Sequence, residues 1–305
     1  MTSKGEAKPR ASFVCITYNH AGMIGRCLDG FLSQEVDFPV EIIVLDDAST
    51  DGTREVLASY ASDYPGRLTL LLPEVNSSLR RGNSLCEVIE RAQGDFILVC
   101  EGDDYWTDTK KAQTQVDFLA ANQRLSFSFH DVVRIDARNS EVAHLVPPGW
   151  RRDWPSGSIL DVGYSFVPLA SICFRNVLGS LPQEFFSSPF GDIFLAMMLN
   201  VIGDGAYQGQ SIRPSRSLLH AGGMHSSASE SSRIVMGLRT LLNLSSWLLR
   251  EGKFSEAQHL LGIELRLRTR LFLAAGGETA PGFHRWAHNV YDMSAKRSRR
   301  LRGLE

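Results

Sequence analysis

Along the first hundred residues, short apolar runs alternate with segments whose apolar positions recur at helical spacing. Ser12–Ile16 is a compact run of β-formers that ends at Tyr18-Asn19-His20, and a helical stripe follows through Ile24, Leu28, Phe31 and Leu32. Glu41–Leu45 is a second apolar run, stopped by Asp46-Asp47, and the loop chemistry of Ala48–Gly52 leads into a helix carrying Val56, Leu57 and Tyr60. Arg67–Leu72 predicts a third strand, Leu85–Ala92 a helix, and Phe96–Cys100 a fourth strand, closed by Glu101-Gly102-Asp103-Asp104. Strands that read as unbroken apolar runs and alternate with helices predict an α/β fold built on a parallel sheet.

The pattern then loosens. Lys111–Leu119 predicts a helix, Leu125–Ile135 a single strand, Ser171–Phe174 another strand and Ile193–Leu199 a helix. Val146–Val167, with three prolines and three glycines, reads as loop-rich. Beyond Ser232 strand signals cease. Ile234–Leu249 and Ser255–Phe272 are amphipathic and joined at Glu251-Gly252-Lys253, which predicts a C-terminal helical appendage over 232–295, ahead of a basic tail at 296–305. This helical pair either packs on the core, pairs with a second copy through Leu241 and Leu248 as a homodimer, or leaves the tail around Arg297, Arg299 and Arg300 to touch an anionic membrane surface.

Composition narrows the function. Thirty-two Lys and Arg against 34 Asp and Glu leave a formal charge of -2, which gives no basis for nucleic-acid binding. The five cysteines are scattered without a C-x-x-C pair, and are read as reduced thiols of a cytoplasmic protein. Residues 1–11 read as a flexible terminus. The run Ala11–Thr17 is too short for a signal peptide, and no stretch approaches the roughly 18 apolar residues of a membrane span. The expected location is the cytoplasm, with peripheral contact at the inner face of the membrane left open.

Four features carry candidate chemistry. Asp46-Asp47 ends a strand, where a carboxylate can accept hydrogen bonds from a base or ribose; Asp51, close behind, is better explained as a helix cap. Glu101, Asp103 and Asp104 crowd negative charge at another strand end, which a hard divalent cation such as Mg²⁺ or Mn²⁺ would relieve. In sheets of this type ligands sit beyond the carboxyl ends of the strands, where both clusters fall. Phe190-Gly191-Asp192 precedes an apolar helix, so Asp192 is either a general base or a helix cap. His220–Ser226 contains paired glycines, and His220 offers a metal or pyrophosphate contact.

In this order, the segments Ile16–His20 (ITYNH), Leu45–Thr53 (LDDASTDGT), Cys100–Asp108 (CEGDDYWTD), Phe190–Asp192 (FGD) and His220–Ser226 (HAGGMHS) resemble the inverting family-2 glycosyltransferases of the GT-A fold. The resemblance spans about Ser12 to Ser227 and implies an α/β fold with a Rossmann-like, mixed but mostly parallel sheet flanked by helices. It implies a glycosyltransferase domain over 12–231, with a nucleotide-sugar half at 12–108 and an acceptor half at 109–231. It implies transfer of a sugar with inversion from a nucleotide diphosphate donor, UDP foremost, to the hydroxyl of a saccharide, lipid-linked or small-molecule acceptor, as in polysaccharide biosynthesis. Carried over by position, Tyr18 and Asp47 contact the base with Asp46 beside them. Arg80 or Arg81 faces the nucleotide, Asp103 lies near ribose and metal, Asp104 ligates Mg²⁺ or Mn²⁺, and Asp192 is the base. Glu101 stands where many relatives have Asp. Two other readings stay open: a metal-dependent sugar-phosphate nucleotidyltransferase, which would need a basic Gly-rich loop that residues 12–30 lack, and a non-catalytic sugar-nucleotide-binding module.

Overall fold

The computed structural model describes residues 8–77, 83–162, 165, 167–220, 222 and 229–274. Its centre is a seven-stranded sheet in the order β10-β6-β9-β4-β1-β2-β3. Here β1 is Ala11–Thr17, β2 Val40–Asp46, β3 Leu68–Leu71, β4 Phe96–Glu101, β6 Leu125–Phe129, β9 Cys173–Arg175 and β10 Asp204–Tyr207. The strands β4, β1, β2 and β3 run parallel, and β9 enters antiparallel between β4 and β6. The expected mixed, mostly parallel sheet is therefore present.

The helices follow from their apolar stripes. α1 (Ile24–Leu32) buries Ile24, Cys27, Leu28 and Phe31 against one face of the sheet, and α3 (Ser84–Arg91) buries Leu85, Val88 and Ile89 on the other. α2 (Thr53–Asp63) and α4 (Lys111–Ala121) complete the first half. α5 (Gln183–Phe186) leads into α6 (Gly191–Ile202), which is apolar around nearly its whole circumference and accordingly buried.

One expectation needs correction, and several short elements went unforeseen. The single strand expected over Leu125–Ile135 is two: β6 stays in the central sheet, while β7 (Val132–Ile135) belongs to a second sheet of order β5-β11-β7-β8. The break falls at the buried pair His130-Asp131, which carries neither Gly nor Pro to mark it. The other members of that sheet, β5 (Asp104–Tyr105), β8 (Glu141–His144) and β11 (Ser215–Leu218), were not anticipated, nor was β10. They are short and owe their conformation to pairing across the chain. Val146–Val167 is loop-rich as expected, its described residues forming only short 3₁₀ turns, but it is packed: Trp150, Trp154, Ile159 and Leu160 are buried in the main core.

The C-terminal helices α7 (Glu230–Arg250) and α8 (Phe254–Ala274) pack on this core. Leu241 and Leu248 are 3% and 0% exposed inside it, so they are not the face through which two copies could pair. Among the described residues no helix is long and apolar enough to cross a membrane. The basic tail and Arg80 and Arg81 lie outside the described residues.

Candidate active site

Parallel pairing aligns the ends of three neighbouring strands. Thr17 at the end of β1 lies opposite Asp46 at the end of β2, while Ile16 lies opposite Glu101 at the end of β4. The backbone continues this alignment past the strands: Asp47 N–H donates to the Thr17 carbonyl at 2.8 Å, and Gly102 N–H donates to the Ile16 carbonyl at 2.9 Å. The two acid-bearing tips thus stand two strand spacings apart, roughly 10 Å, on the same edge of the sheet.

On the β2 side the acids are held tightly. Asp46 is fully buried; its Oδ1 accepts from Ser49 N–H at 3.0 Å and from Arg54 Nε at 2.7 Å, while Oδ2 has no partner. Asp47 accepts from the backbone N–H and the hydroxyl of Ser77 at 2.7 and 2.6 Å. Asn19, in left-handed backbone at φ 56°, accepts from Thr50 N–H at 2.8 Å and donates its own N–H to Ser49 Oγ at 2.8 Å. These bonds latch the β1–α1 loop to the β2–α2 loop. Asp51 serves that latch, accepting from Thr53 N–H and from Ala21 N–H, both at 3.1 Å, while the N-cap of the helix is Gly52 and not, as expected, Asp51. Tyr18 is 46% exposed beside them, its ring available at the sheet edge.

On the β4 side, Glu101, Asp103, Asp104 and Asp192 share one electrostatic neighbourhood. Burial, then Asp103, Asp104 and Asp192, hold the Glu101 carboxyl well above the ordinary carboxylate range. Asp104 lies in β5, opposite Ser217 of β11; burial and Asp103 raise its pKa, and Ser217 and Arg134 partly offset this. Asp103 turns the other way, its Oδ2 lying 3.0 Å from His220 Nε2. His20 completes the group: one ring nitrogen from each histidine and one Asp103 oxygen lie within 4.8 Å of one another. Burial, with a contribution from His220 and against the pull of Asp103, lowers the His20 pKa, which favours the neutral ring that a metal requires. Gly102 makes room for this arrangement, since a Cβ there would meet Thr17 Oγ1 at 2.5 Å and His20 Nδ1 at 3.0 Å.

Of the residues singled out in the sequence, Asp103 and His220 therefore meet in a cluster fit for a cation. Asp104 stands outside it, because β5–β11 pairing carries its side chain toward Ser217. His20 was missed as a member of this cluster; it closes the Ile16–His20 motif, but nothing in a linear reading places it near His220. Asp192 lies in the first turn of α6, where an acid is electrostatically favourable, and it is not the N-cap, which is Phe190. A groove of about 810 Å³ at the opposite end of α6, lined by Leu181, Met198, Ile202, Trp247 and Arg250 among others, contains none of the motif residues.

A sequence profile described as Glycosyl transferase family 2 matches residues 12–157, the segment that supplies β1 to β8 and both acidic strand tips. Over these residues the chain is similar to glycosyl transferase family 2. An uncharacterised protein of Mycobacterium tuberculosis is 35% identical over 165 residues, covering 54% of this chain and 46% of that protein. The chain thus spans about half the length of that relative. Among solved structures, Staphylococcus aureus TarS 1–349 in complex with UDP-GlcNAc superimposes with a TM-score of 0.58 at 16% identity, covering 95% of this chain and 92% of that one. The mannosyltransferase PcManGT from Pyrobaculum calidifontis, in complex with GDP-Man and Mn²⁺, gives 0.55 at 16% identity, covering 98% and 89%. At such identities the likeness establishes the fold, GT-A, and no more.

Proposed function

We propose that this protein transfers a sugar, with inversion, from a nucleotide diphosphate donor to an acceptor hydroxyl, with Asp192 as general base and a divalent cation held at Asp103 and His220. The observation that carries the reading is the alignment of the β1, β2 and β4 ends, which sets the Asp46-Asp47 tip and the Asp103–His220 pair on one edge of the sheet. The two solved relatives named above are complexes with nucleotide sugars, which supports this class of donor.

Each residue has a physical task in this reading. Tyr18, half exposed, offers a face for the base, and the Asp46-Asp47 turn offers carboxylate and backbone acceptors for base and ribose. The latch through Asn19, Ser49 and Thr50 keeps these acceptors in place before the donor arrives, so less ordering is left to binding. Asp103 and His220 hold the cation, whose chemistry is to neutralise charge gathering on the departing diphosphate. Asp104, buried at the β5–β11 pairing, fixes the position of Asp103 instead of meeting the cation itself. Asp192 removes the acceptor proton as the glycosidic bond forms, a contribution of roughly 10²–10⁴-fold. The acceptor is the hydroxyl of a saccharide, free or lipid-linked. The five cysteines, all free and buried, suit a reducing compartment and support a cytoplasmic location.

The test is a thermal-shift panel of UDP-, GDP- and dTDP-sugars with and without Mn²⁺, followed by product analysis with the stabilising donor. One donor should raise the melting temperature by mass action and release its nucleoside diphosphate in the presence of acceptor. Release of pyrophosphate from a nucleoside triphosphate and a sugar phosphate would instead assign a nucleotidyltransferase.

A further inference from the structure

We infer that His20 is a third protein ligand of the cation, making a two-imidazole, one-carboxylate site that takes a transition-metal ion such as Mn²⁺ or Co²⁺ in preference to Mg²⁺. This rests on the proposed role of Asp103 and His220 and adds to it the identity of the ion and the residue that selects it.

Three observations converge. The first is distance: the ligand atoms of His20, Asp103 and His220 lie within 4.8 Å of one another, and the Asp103–His220 pair is 3.0 Å apart. Two ligands at about 2.1 Å from an ion and at right angles are themselves about 3.0 Å apart, so that pair already has the spacing of neighbouring ligands. The second is an unmet polar atom. His20 Nδ1 is buried without a hydrogen-bond partner, as is Thr17 Oγ1, and both border the space that the missing Cβ of Gly102 leaves open. A buried ring nitrogen without a partner is costly, and such an atom calls for an explanation.

The third is preorganisation. The His20 N–H donates to Thr53 Oγ1 at 2.9 Å, and its carbonyl accepts from Met23 and Ile24 N–H at 2.8 and 2.9 Å. Its backbone is thus fixed on both sides, and its ring stands edge-on to that of His220 with centroids 5.7 Å apart. The three ligands come from three distant places: the β1–α1 loop, the β4–β5 turn and the segment after β11. Three protein ligands leave the other coordination positions open to diphosphate oxygens and water. Nitrogen ligands suit borderline transition ions, whereas Mg²⁺ prefers oxygen and gives up its water reluctantly.

The test uses full-length protein and Mn²⁺, with and without UDP. Nitrogen modulation in the electron spin-echo of bound Mn²⁺ should count two imidazoles in the wild type and one in His20→Gln, with Mn²⁺ affinity at least about tenfold weaker in the variant. Mg²⁺ should displace Mn²⁺ from the wild type only in large excess. Fewer than two imidazoles in the wild type, equal Mn²⁺ affinity in His20→Gln, or equal competition by Mg²⁺ would each overturn the inference, as would failure to bind Mn²⁺ under either condition. The wild-type spectrum decides the matter even if the variant folds poorly. Two imidazoles on Mn²⁺ without sugar transfer from any donor would uphold this site and remove the proposed function alone.

Discussion

Asp103 and His220 meet at 3.0 Å although 117 residues separate them in the chain. The contact joins the tip of β4 to the segment after β11, and so ties the half of the chain with the Asp46-Asp47 turn to the half with Asp192.

If that contact marks the cation site, Asp103→Asn should weaken Mn²⁺ binding by about 100-fold or more, since it removes a charged ligand and not only an outer contact. Asp104→Asn, one residue on, should change Mn²⁺ affinity far less. Calorimetric titration of both variants separates the two; equal losses would return the ligand role to Asp104.

Asp192→Asn should lower kcat by roughly 10²–10⁴-fold while leaving donor affinity within about twofold, because the base acts on the acceptor. Steady-state kinetics with the donor found by thermal shift is the measurement, and near wild-type turnover would exclude Asp192 as the base.

Gly102→Ala should disorganise the cation site and also destabilise the end of β1, since the new methyl would lie 2.8 Å from Thr17 Cβ. The new methyl would lie 2.5 Å from Thr17 Oγ1 and 3.0 Å from His20 Nδ1, too close for either to stay in place. Loss of Mn²⁺ affinity together with a lowered melting temperature is the expected pair of results, read by calorimetric titration and thermal unfolding.

Arg54→Met should destabilise the fold by about 2 kcal/mol, a value reduced from that of a wholly buried pair because Arg54 is 29% exposed. The loss arises because Asp46, with a fully buried carboxylate, keeps only its bond from Ser49 N–H at 3.0 Å. Urea unfolding of Arg54→Met against the double variant Arg54→Met/Asp46→Asn should show much of the loss recovered.

Lys111 gives a pH signature. Its ammonium is 1% exposed, lies 4.3 Å from the Trp106 ring centroid and donates to Gln115 Oε1 at 2.6 Å. Burial lowers its pKa from 10.5 to about 8. Between those two pH values the unfolded chain holds a proton that the folded chain has released, so stability rises with pH across that window. Relative to Lys111→Met, the wild type should gain about 3 kcal/mol from pH 8 to 10.5. A flat difference in unfolding free energy would show that Lys111 titrates normally.

The sequence was most informative where burial is two-sided. β1, β2 and β4 lie at the centre of the sheet and read as unbroken apolar runs, so the acids that end them could be placed at the ligand-binding edge from the residues alone. It was least informative where conformation depends on a distant partner. β5 and β11 are two and four residues long, and their pairing decides that Asp103 faces His220 while Asp104 does not. His20 illustrates the same limit: a single imidazole after Tyr18-Asn19 carries no signal of its own until the fold brings His220 beside it. The turn at His130-Asp131 was hidden because apolar residues flank it on both sides and the chain simply changes sheet.

The insertion of β9 between β4 and β6 has a practical outcome for engineering. Residues 173–175 supply one of the two neighbours of the strand formed by residues 96–101, so cutting the chain at 108, or keeping only 12–157, would remove β9 and leave β4 as an open edge paired to β1 alone. Exchanging halves between homologues to change the donor would then disturb the backbone ladder that sets the acid positions. Swapping the loops that follow β1, β2 and β4 would leave that ladder intact, and is the more promising route to a new sugar specificity.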